Sequence, residues 1–233
     1  MTKISEIKRA TPCLQIQKIL IVKNLLSDKK CDDLIEFYHT KEEYKEKIFD
    51  AEKVNNSEDH SKQEWKEDTK VRDTYTIDTG DDWWEKQKVE IVMPYMQNYL
   101  MPFYSQFPEY QNFLKETGRT HLIDGCEPLH YLLYHVGGHY NPHIDAWGEY
   151  CDGEKTYWRQ NVNRDFSSLY YLNDDFQGGC LEFPELNLVL EPEKGMCVTF
   201  PSTYEFLHGV RPVIKGVRYV LVNWSTLQAD RKL

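Results

Sequence analysis

The sequence predicts a mainly β protein with flanking helices, its core an antiparallel jelly roll, sandwich or barrel. Three observations carry that expectation. From Leu129 onward the chain breaks into about eight short β-type runs at close spacing. Ahead of Leu129 the apolar residues recur instead at helical spacing. At 233 residues the chain fits one domain with a sizeable buried core.

Taken in order, Met1 to Leu14 is charged and lacks the apolar run of a secretory signal. Ile19 to Val22 reads as a strand, far too short to span a bilayer. Ser27 can cap a helix whose apolar face is Cys31, Leu34, Ile35 and Tyr38. Lys41 to Asp68 is dense in Lys, Glu and Asp, and is expected to be an exposed helix followed by a loop; solvated surface is its commoner meaning, a functional lid the other. Val89, Val92, Met93, Met96 and Leu100 repeat the helical period, with a kink or restart expected at Pro94. The strand candidates are Leu129–Val136, Pro142–Ala146, Ser167–Asn173, Cys180–Phe183, Leu188–Leu190, Met196–Phe200, Glu205–Val210 and Arg218–Trp224. Gly137-Gly138, Asn173-Asp174, Gly178-Gly179, Glu193-Lys194-Gly195 and Lys215-Gly216 separate several of them as turns. One domain over 1–233 is expected, with helical support and the polar segment in 1–128 and the core in 129–226.

Composition narrows the class. Hydrophobic content of 40% and charged content of 28% are ordinary for a globular protein. A formal net charge of −10 argues against a surface built to neutralise phosphates, so no nucleic-acid partner is expected. The six cysteines include no Cys-x-x-Cys pair, which removes zinc ribbons and dithiol redox motifs. The expectation is a soluble, cytoplasmic or otherwise intracellular protein in a reducing compartment, away from membranes. Oligomeric state is not readable.

Chemistry concentrates in a few residues. In His143-Ile144-Asp145, strand geometry would point the imidazole and the carboxylate to one face. Alone, that triplet is weak. A second imidazole, His208, on a later run changes the weight. Two histidines and one carboxylate on one face of an octahedron leave three positions open, the arrangement of non-haem Fe(II) oxygenases. Ligand type by itself leaves zinc open as well. Arg218 follows His208 by ten residues, and a hairpin turning at Gly216 would set it on the neighbouring strand, facing the same cavity. A buried guanidinium beside a metal needs an anion, and the distal carboxylate of 2-oxoglutarate is one. An Arg paired to a rim carboxylate is the competing reading.

At larger scale the text resembles a known family. Tyr134-His135-Val136-Gly137-Gly138-His139-Tyr140-Asn141-Pro142-His143-Ile144-Asp145 is similar to the signature of the prolyl 4-hydroxylase-like branch of Fe(II)/2-oxoglutarate dioxygenases. Arg164, Leu169 to Asp174, Gly178 to Pro184, Glu191 to Gly195, His208 to Val213, Gly216 to Tyr219 and Trp224 continue the resemblance in order. It covers Leu129 to Trp224, with a weaker echo at Leu26-Ser27, Cys31 and Leu34-Ile35. The resemblance implies a double-stranded β-helix, the jelly-roll or cupin-like core. It puts His143, Asp145 and His208 in the iron-ligand places and Arg218 against the C5 carboxylate of 2-oxoglutarate. Tyr134 and Tyr171 fall in the cosubstrate pocket, Arg164 and Trp224 on the substrate wall. Collagen-modifying members usually carry Lys at the Arg218 position and oxygen-sensing members Arg, so a collagen-like substrate is not implied.

The resulting expectation is a dioxygenase that uses Fe(II), 2-oxoglutarate and O2, with ascorbate as reductant, to hydroxylate a C–H bond and release succinate and CO2. The first-choice substrate is a prolyl residue in a peptide or protein, in a proline-rich segment lying beside Arg164 and the loop Ala146–Asn163. Trp147, Tyr150, Tyr157 and Trp158 in that loop either receive such a segment or fold back to tether the loop. Another amino-acid side chain or a small molecule is the alternative substrate. A non-catalytic metal-binding interaction module is the alternative class.

Overall fold

The computed structural model describes residues 18–41, 72–78, 81–151, 156–160 and 162–229. The stretch Met1–Leu14 and, beyond Lys41, the polar segment lie outside the described residues. Strand β1 (Leu20–Val22) leads to helix α1 (Asp28–Thr40), whose first turn is capped where the sequence placed the cap. Ser27 Oγ accepts a hydrogen bond from the Lys30 amide at 3.2 Å. Cys31, Leu34 and Tyr38 are buried and Ile35 half-buried, one face of a 3.6-residue period.

Two short strands, β2 (Arg72–Asp73) and β3 (Tyr75–Asp78), come before a helical rod. The rod begins as α2 (Asp81–Gln87), passes a π-helical stretch (Lys88–Val92), α3 (Met93–Tyr95) and a second π stretch (Met96–Leu100), and ends as α4 (Met101–Tyr104). The restart expected at Pro94 takes this form: both Pro94 and Pro102 stand at the start of an α segment just after a widened turn. A proline lacks the amide that an α ladder requires, and a wider turn accommodates that loss. The extra residue per turn also rotates the apolar face. Val92, Met96 and Leu100 are buried as expected, but Val89 is 67% exposed and Ile91 takes its place in the core. Helix α5 (Pro108–Thr117) closes the layer.

The remaining strands are β4 (Arg119–Cys126), β5 (His130–Tyr134), β6 (His139–His143), β7 (Trp147–Cys151), β8 (Thr156–Gln160), β9 (Phe166–Tyr171), β10 (Gln177–Gly178), β11 (Leu181–Phe183), β12 (Leu188–Leu190), β13 (Cys197–Pro201), β14 (His208–Val210), β15 (Val213–Lys215) and β16 (Arg218–Ala229). The larger sheet runs β1-β13-β9-β16-β5-β3, with β4 pairing the far half of β16; the smaller runs β12-β11-β14-β6-β2. This is the double-stranded β-helix, and its larger sheet is buried on both faces. Tyr131, Leu133, Tyr170 and Leu221 pack under the helices with Tyr38, Tyr95 and Met96. Their strand neighbours Leu132, Tyr134, Leu169, Tyr171 and Val220 face the smaller sheet. Strands covered on both sides read as continuous apolar runs, which is why the sequence there lacks clean alternation.

Three expectations change. The stretch Ala146–Asn163 contains the two-stranded hairpin β7-β8, with Trp147 buried against Tyr204. The run Glu205–Val210 is a strand only from His208, after a 3-10 turn at Tyr204–Phe206. The larger sheet also draws β1, β3 and β4 from ahead of residue 129, because a strand lacking sequence neighbours can still supply backbone partners to an open edge. No described helix is long and apolar enough to cross a membrane.

Candidate metal centre

Between the two sheets lies a cavity of about 440 Å3. His143 is the last residue of β6 and stands directly opposite His208 of β14 in the antiparallel register. The two rings are 4.4 Å apart, centre to centre. Gly209 makes that approach possible. A Cβ there would sit 2.9 Å from the Tyr140 carbonyl oxygen and 3.0 Å from the Pro142 nitrogen, so only glycine lets the strands close.

Asp145 is not on the strand. β6 ends at His143, and Asp145 sits on the bend that follows. The convergence holds all the same, because the bend swings the carboxylate back between the imidazoles. Asp145 Oδ1 lies 3.5 Å from His143 Nε2, and Oδ2 lies 3.6 Å from His208 Nε2. The ligand atoms of all three lie within 4.8 Å of one another.

Hydrogen bonds fix which nitrogens face the centre. His143 Nδ1 donates to the Asn141 carbonyl at 2.9 Å, and His208 Nδ1 donates to the Phe206 carbonyl at 2.9 Å. A carbonyl only accepts, so each Nδ1 carries the proton and each Nε2 presents a lone pair. Burial pushes the His208 imidazole down to about 4, against the opposing pull of Asp145, so it is neutral near pH 7. Burial alone would raise the Asp145 carboxyl; His208, His143 and the Ser167 hydroxyl together outweigh it and hold the group well below the usual carboxylate range. Ser167 Oγ donates to Asp145 Oδ2 at 2.6 Å. Two lone pairs and an ionised carboxylate aimed at one point repel one another unless a cation lies between them. This donor set suits a divalent ion of borderline hardness with open positions.

Arg218 reaches the same cavity by a route other than the one expected. The chain between His208 and Arg218 is not a simple hairpin. β15 pairs with β10, and β16 then enters the larger sheet beside β5 and β9. Arg218 therefore faces the metal candidates across the cavity, from the opposite sheet. It is fully buried, and Nε, Nη1 and Nη2 find no acceptor among the described residues. Its guanidinium lies 4.6 Å from the Tyr134 ring centre and 5.1 Å from that of Tyr171. Tyr134 lines the cavity. Tyr171 faces the same side of the sheet without touching the cavity wall, and its buried hydroxyl finds no partner among the described residues. Burial raises the Tyr171 phenol, and Arg218 offsets part of that rise. Three orphaned donors on a buried cation fit a carboxylate.

Arg164 and Trp224 both line the cavity, but Arg164 is already engaged. Its Nε and Nη2 donate to the two carboxylate oxygens of Glu127 at 2.5 and 2.6 Å, and Nη1 donates to the Asp145 carbonyl at 3.2 Å. The guanidinium also lies 3.8 Å from the Trp224 ring centre. The rim-carboxylate pairing weighed for Arg218 belongs to Arg164 instead. Sequence reasoning missed Arg72, Thr76 and Ser167. Arg72 and Thr76 carry no local signal, because they lie on separate strands at the edges of different sheets.

The comparisons with known proteins agree with this geometry. Residues 129–226 match the model of the 2OG-Fe(II) oxygenase superfamily. Human prolyl 3-hydroxylase 3 is 47% identical over 83 residues, which cover 32% of this chain and 11% of that protein. Prolyl 4-hydroxylase subunit alpha-1 of Gallus gallus is 32% identical over 109 residues, 44% of this chain and 21% of that protein. The matches thus span between about a tenth and a fifth of these relatives. Among solved structures, a viral collagen prolyl hydroxylase from Paramecium Bursaria Chlorella virus-1, in its 2-oxoglutarate complex, superposes with a TM-score of 0.56 at 17% identity, covering 91% of this chain and 97% of that one. A Trichoplax adhaerens prolyl hydroxylase, in complex with a hypoxia inducible factor peptide fragment, gives 0.54 at 16% identity over 94% and 86%. At such identities the superpositions establish a shared fold.

Proposed function

We propose that this chain, whose residues 129–226 match the model of the 2OG-Fe(II) oxygenase superfamily, is an oxygenase of that class and hydroxylates prolyl residues in peptides or proteins, releasing succinate and CO2. The observation that carries the reading is one cavity with two poles. At one, His143, Asp145 and His208 aim two lone pairs and a carboxylate at a common point. At the other, Arg218 is buried with no acceptor. A ferrous ion at the first pole and the C5 carboxylate of 2-oxoglutarate at the second relieve both imbalances.

In this reading His143 and His208 would hold the ion through Nε2, their Nδ1 hydrogen bonds to the Asn141 and Phe206 carbonyls fixing the ring orientation. Asp145, ionised and oriented by Ser167, supplies the third ligand and one negative charge. Arg218 anchors the cosubstrate, with Tyr134 walling the pocket and the Tyr134 and Tyr171 rings flanking the guanidinium. Iron and 2-oxoglutarate, once bound, supply O2 activation coupled to decarboxylation, the step that side chains cannot perform. The apolar walls Leu132, Leu169, Val220 and Val222 exclude water from the reacting carbon. Ascorbate serves as reductant, and a reducing, cytoplasmic setting keeps the ion ferrous. Residues 1–233 act as a single catalytic domain in this reading. The peptide substrate draws support from the named activities of the relatives and from the peptide bound in the Trichoplax complex.

The test is a peptide array incubated with Fe(II), 2-oxoglutarate, ascorbate and O2, comparing proline-containing with proline-free sequences. The expected result is a mass gain of one oxygen atom confined to prolyl peptides, with one succinate formed per oxygen incorporated. Succinate formation without any prolyl modification overturns the substrate. Absence of both, or hydrolysis by a zinc-loaded form, overturns the oxygenase reading.

A further inference from the structure

We propose that Arg72 is a specificity-determining residue that selects a substrate carrying a carboxylate close to the reacting position. The inference rests on the oxygenase reading above and concerns which peptides that site accepts. Arg72 is the first residue of β2, the edge strand of the smaller sheet, paired with Tyr140 of β6. Its guanidinium lies 4.9 Å from the Tyr140 ring centre, and the opposite side of the cavity edge is tied in by one hydrogen bond. Nη2 donates at 2.8 Å to Thr76 Oγ1 on β3, the edge of the larger sheet. Arg72 thus bridges the gap between the two sheet edges and lines the cavity. Its Nε is buried and finds no acceptor, and no carboxylate among the described residues pairs with it. Asp73, its neighbour, is turned to the other face of the strand and pairs with His135 at 3.3 Å.

Charge bookkeeping over the cavity gives this orphan its meaning. Arg164 is neutralised by Glu127. Asp145 and Arg218 cancel, and a ferrous ion cancels the two charges of 2-oxoglutarate. Among the described residues that line the cavity, one positive charge remains, that of Arg72. A partly buried guanidinium left uncompensated in an apolar-walled site is costly, and a planar fork favours a carboxylate that can accept two hydrogen bonds. Trp224 adds a second buried donor with no acceptor in the same cavity, its indole Nε1. Both donors stand apart from Arg218, which is on the central strand β16. The remaining anion expected in the loaded site therefore comes with the substrate: an Asp or Glu side chain, or a terminal carboxylate, near the proline.

The test measures binding without turnover. Protein loaded with Mn(II) and 2-oxoglutarate under anaerobic conditions is titrated with matched peptides that carry a central proline and Asp, Asn or Lys at each neighbouring position. One pair has a free and an amidated C-terminus. The wild-type protein is expected to bind the carboxylate-bearing member of at least one pair about tenfold more tightly, the scale of a charge-assisted hydrogen bond in a confined site. In Arg72→Gln that preference falls to within about twofold, and in Arg72→Glu it inverts toward Lys-bearing peptides. Affinity for 2-oxoglutarate stays unchanged in Arg72→Gln, which also reports that the variant is folded. Equal binding within every wild-type pair overturns the proposal and leaves the peptide reading intact, as does a preference that survives in Arg72→Gln. A loss of 2-oxoglutarate affinity in Arg72→Gln overturns it too, by making Arg72 a cosubstrate residue. If no peptide binds while 2-oxoglutarate does, the peptide reading fails, and this inference with it.

Discussion

At the scale of single residues, the proposed anchoring role of Arg218 comes at a cost in stability. Arg218 is the largest fully buried side chain among the described residues, and its three nitrogens find no acceptor among them. Cation–π contacts with Tyr134 and Tyr171 return only part of the desolvation cost. Arg218→Met should therefore raise the thermal midpoint of the ligand-free protein, by the equivalent of about 1 kcal/mol or more. The same variant should abolish the rise in midpoint that 2-oxoglutarate causes in the Mn(II)-loaded wild type. Thermal unfolding with and without cosubstrate checks both halves. A destabilised ligand-free variant, or one still stabilised by 2-oxoglutarate, would show that the arginine is held by something other than its ligand. His143, Asp145, His208 and Arg218 were legible in the sequence because residue type and spacing constrain them. Asp145 reached its place by a bend, not a strand face, and Arg164 proved to be committed to Glu127. Pairings between residues 37 apart leave no local trace.

At the scale of elements, the turn before β13 ties three pieces together. The Gly195 amide donates to Tyr171 O at 2.9 Å, and its carbonyl accepts from the Leu26 amide at 3.1 Å, next to the α1 cap. Its φ is +78°, and a Cβ would lie 2.2 Å from the Leu26 carbonyl oxygen. Gly118, at the end of α5, has φ +62° but nothing within 4 Å of such a Cβ. Gly195→Ala should cost roughly 3 kcal/mol, from strain plus a backbone clash, while Gly118→Ala should cost about 1 kcal/mol from strain alone. Urea unfolding of the two variants reads the difference directly; equal losses would mean that the Gly195 turn can shift away from α1. The Glu193-Lys194-Gly195 punctuation announced a turn here. Which helix it would touch was invisible, since Leu26 lies far back along the chain.

At the scale of the whole molecule, the doubly covered sheet makes a dry interior. Burial pushes the Cys31 and Cys126 thiols up to about 11 and the Cys197 thiol up to about 12. The reactive form is the thiolate, and raising the pKa removes it near neutral pH. Iodoacetamide at pH 8 should leave these three unmodified in the folded protein and label them fully once urea unfolds the chain, as read by peptide mass spectrometry. Labelling at native rates close to those of the unfolded chain would show that the helix layer opens readily from the sheet.

What the sequence determined by itself was everything governed by local periodicity and residue chemistry. That includes the capped helix at Ser27, the order of short strands after Leu129, the turns at Gly137, Gly178, Gly195 and Gly216, and a two-histidine, one-carboxylate set with an arginine behind it. Only the tertiary structure decided the rest: that Arg218 faces His143, Asp145 and His208 from the opposite sheet, that a π-widened rod exposes Val89, and that Arg72 bridges two sheet edges with no carboxylate among the described residues to answer it. Such features arise from pairing between distant strands, where hydrogen bonds and close packing select the partner, and a single chain read in order holds no record of that choice.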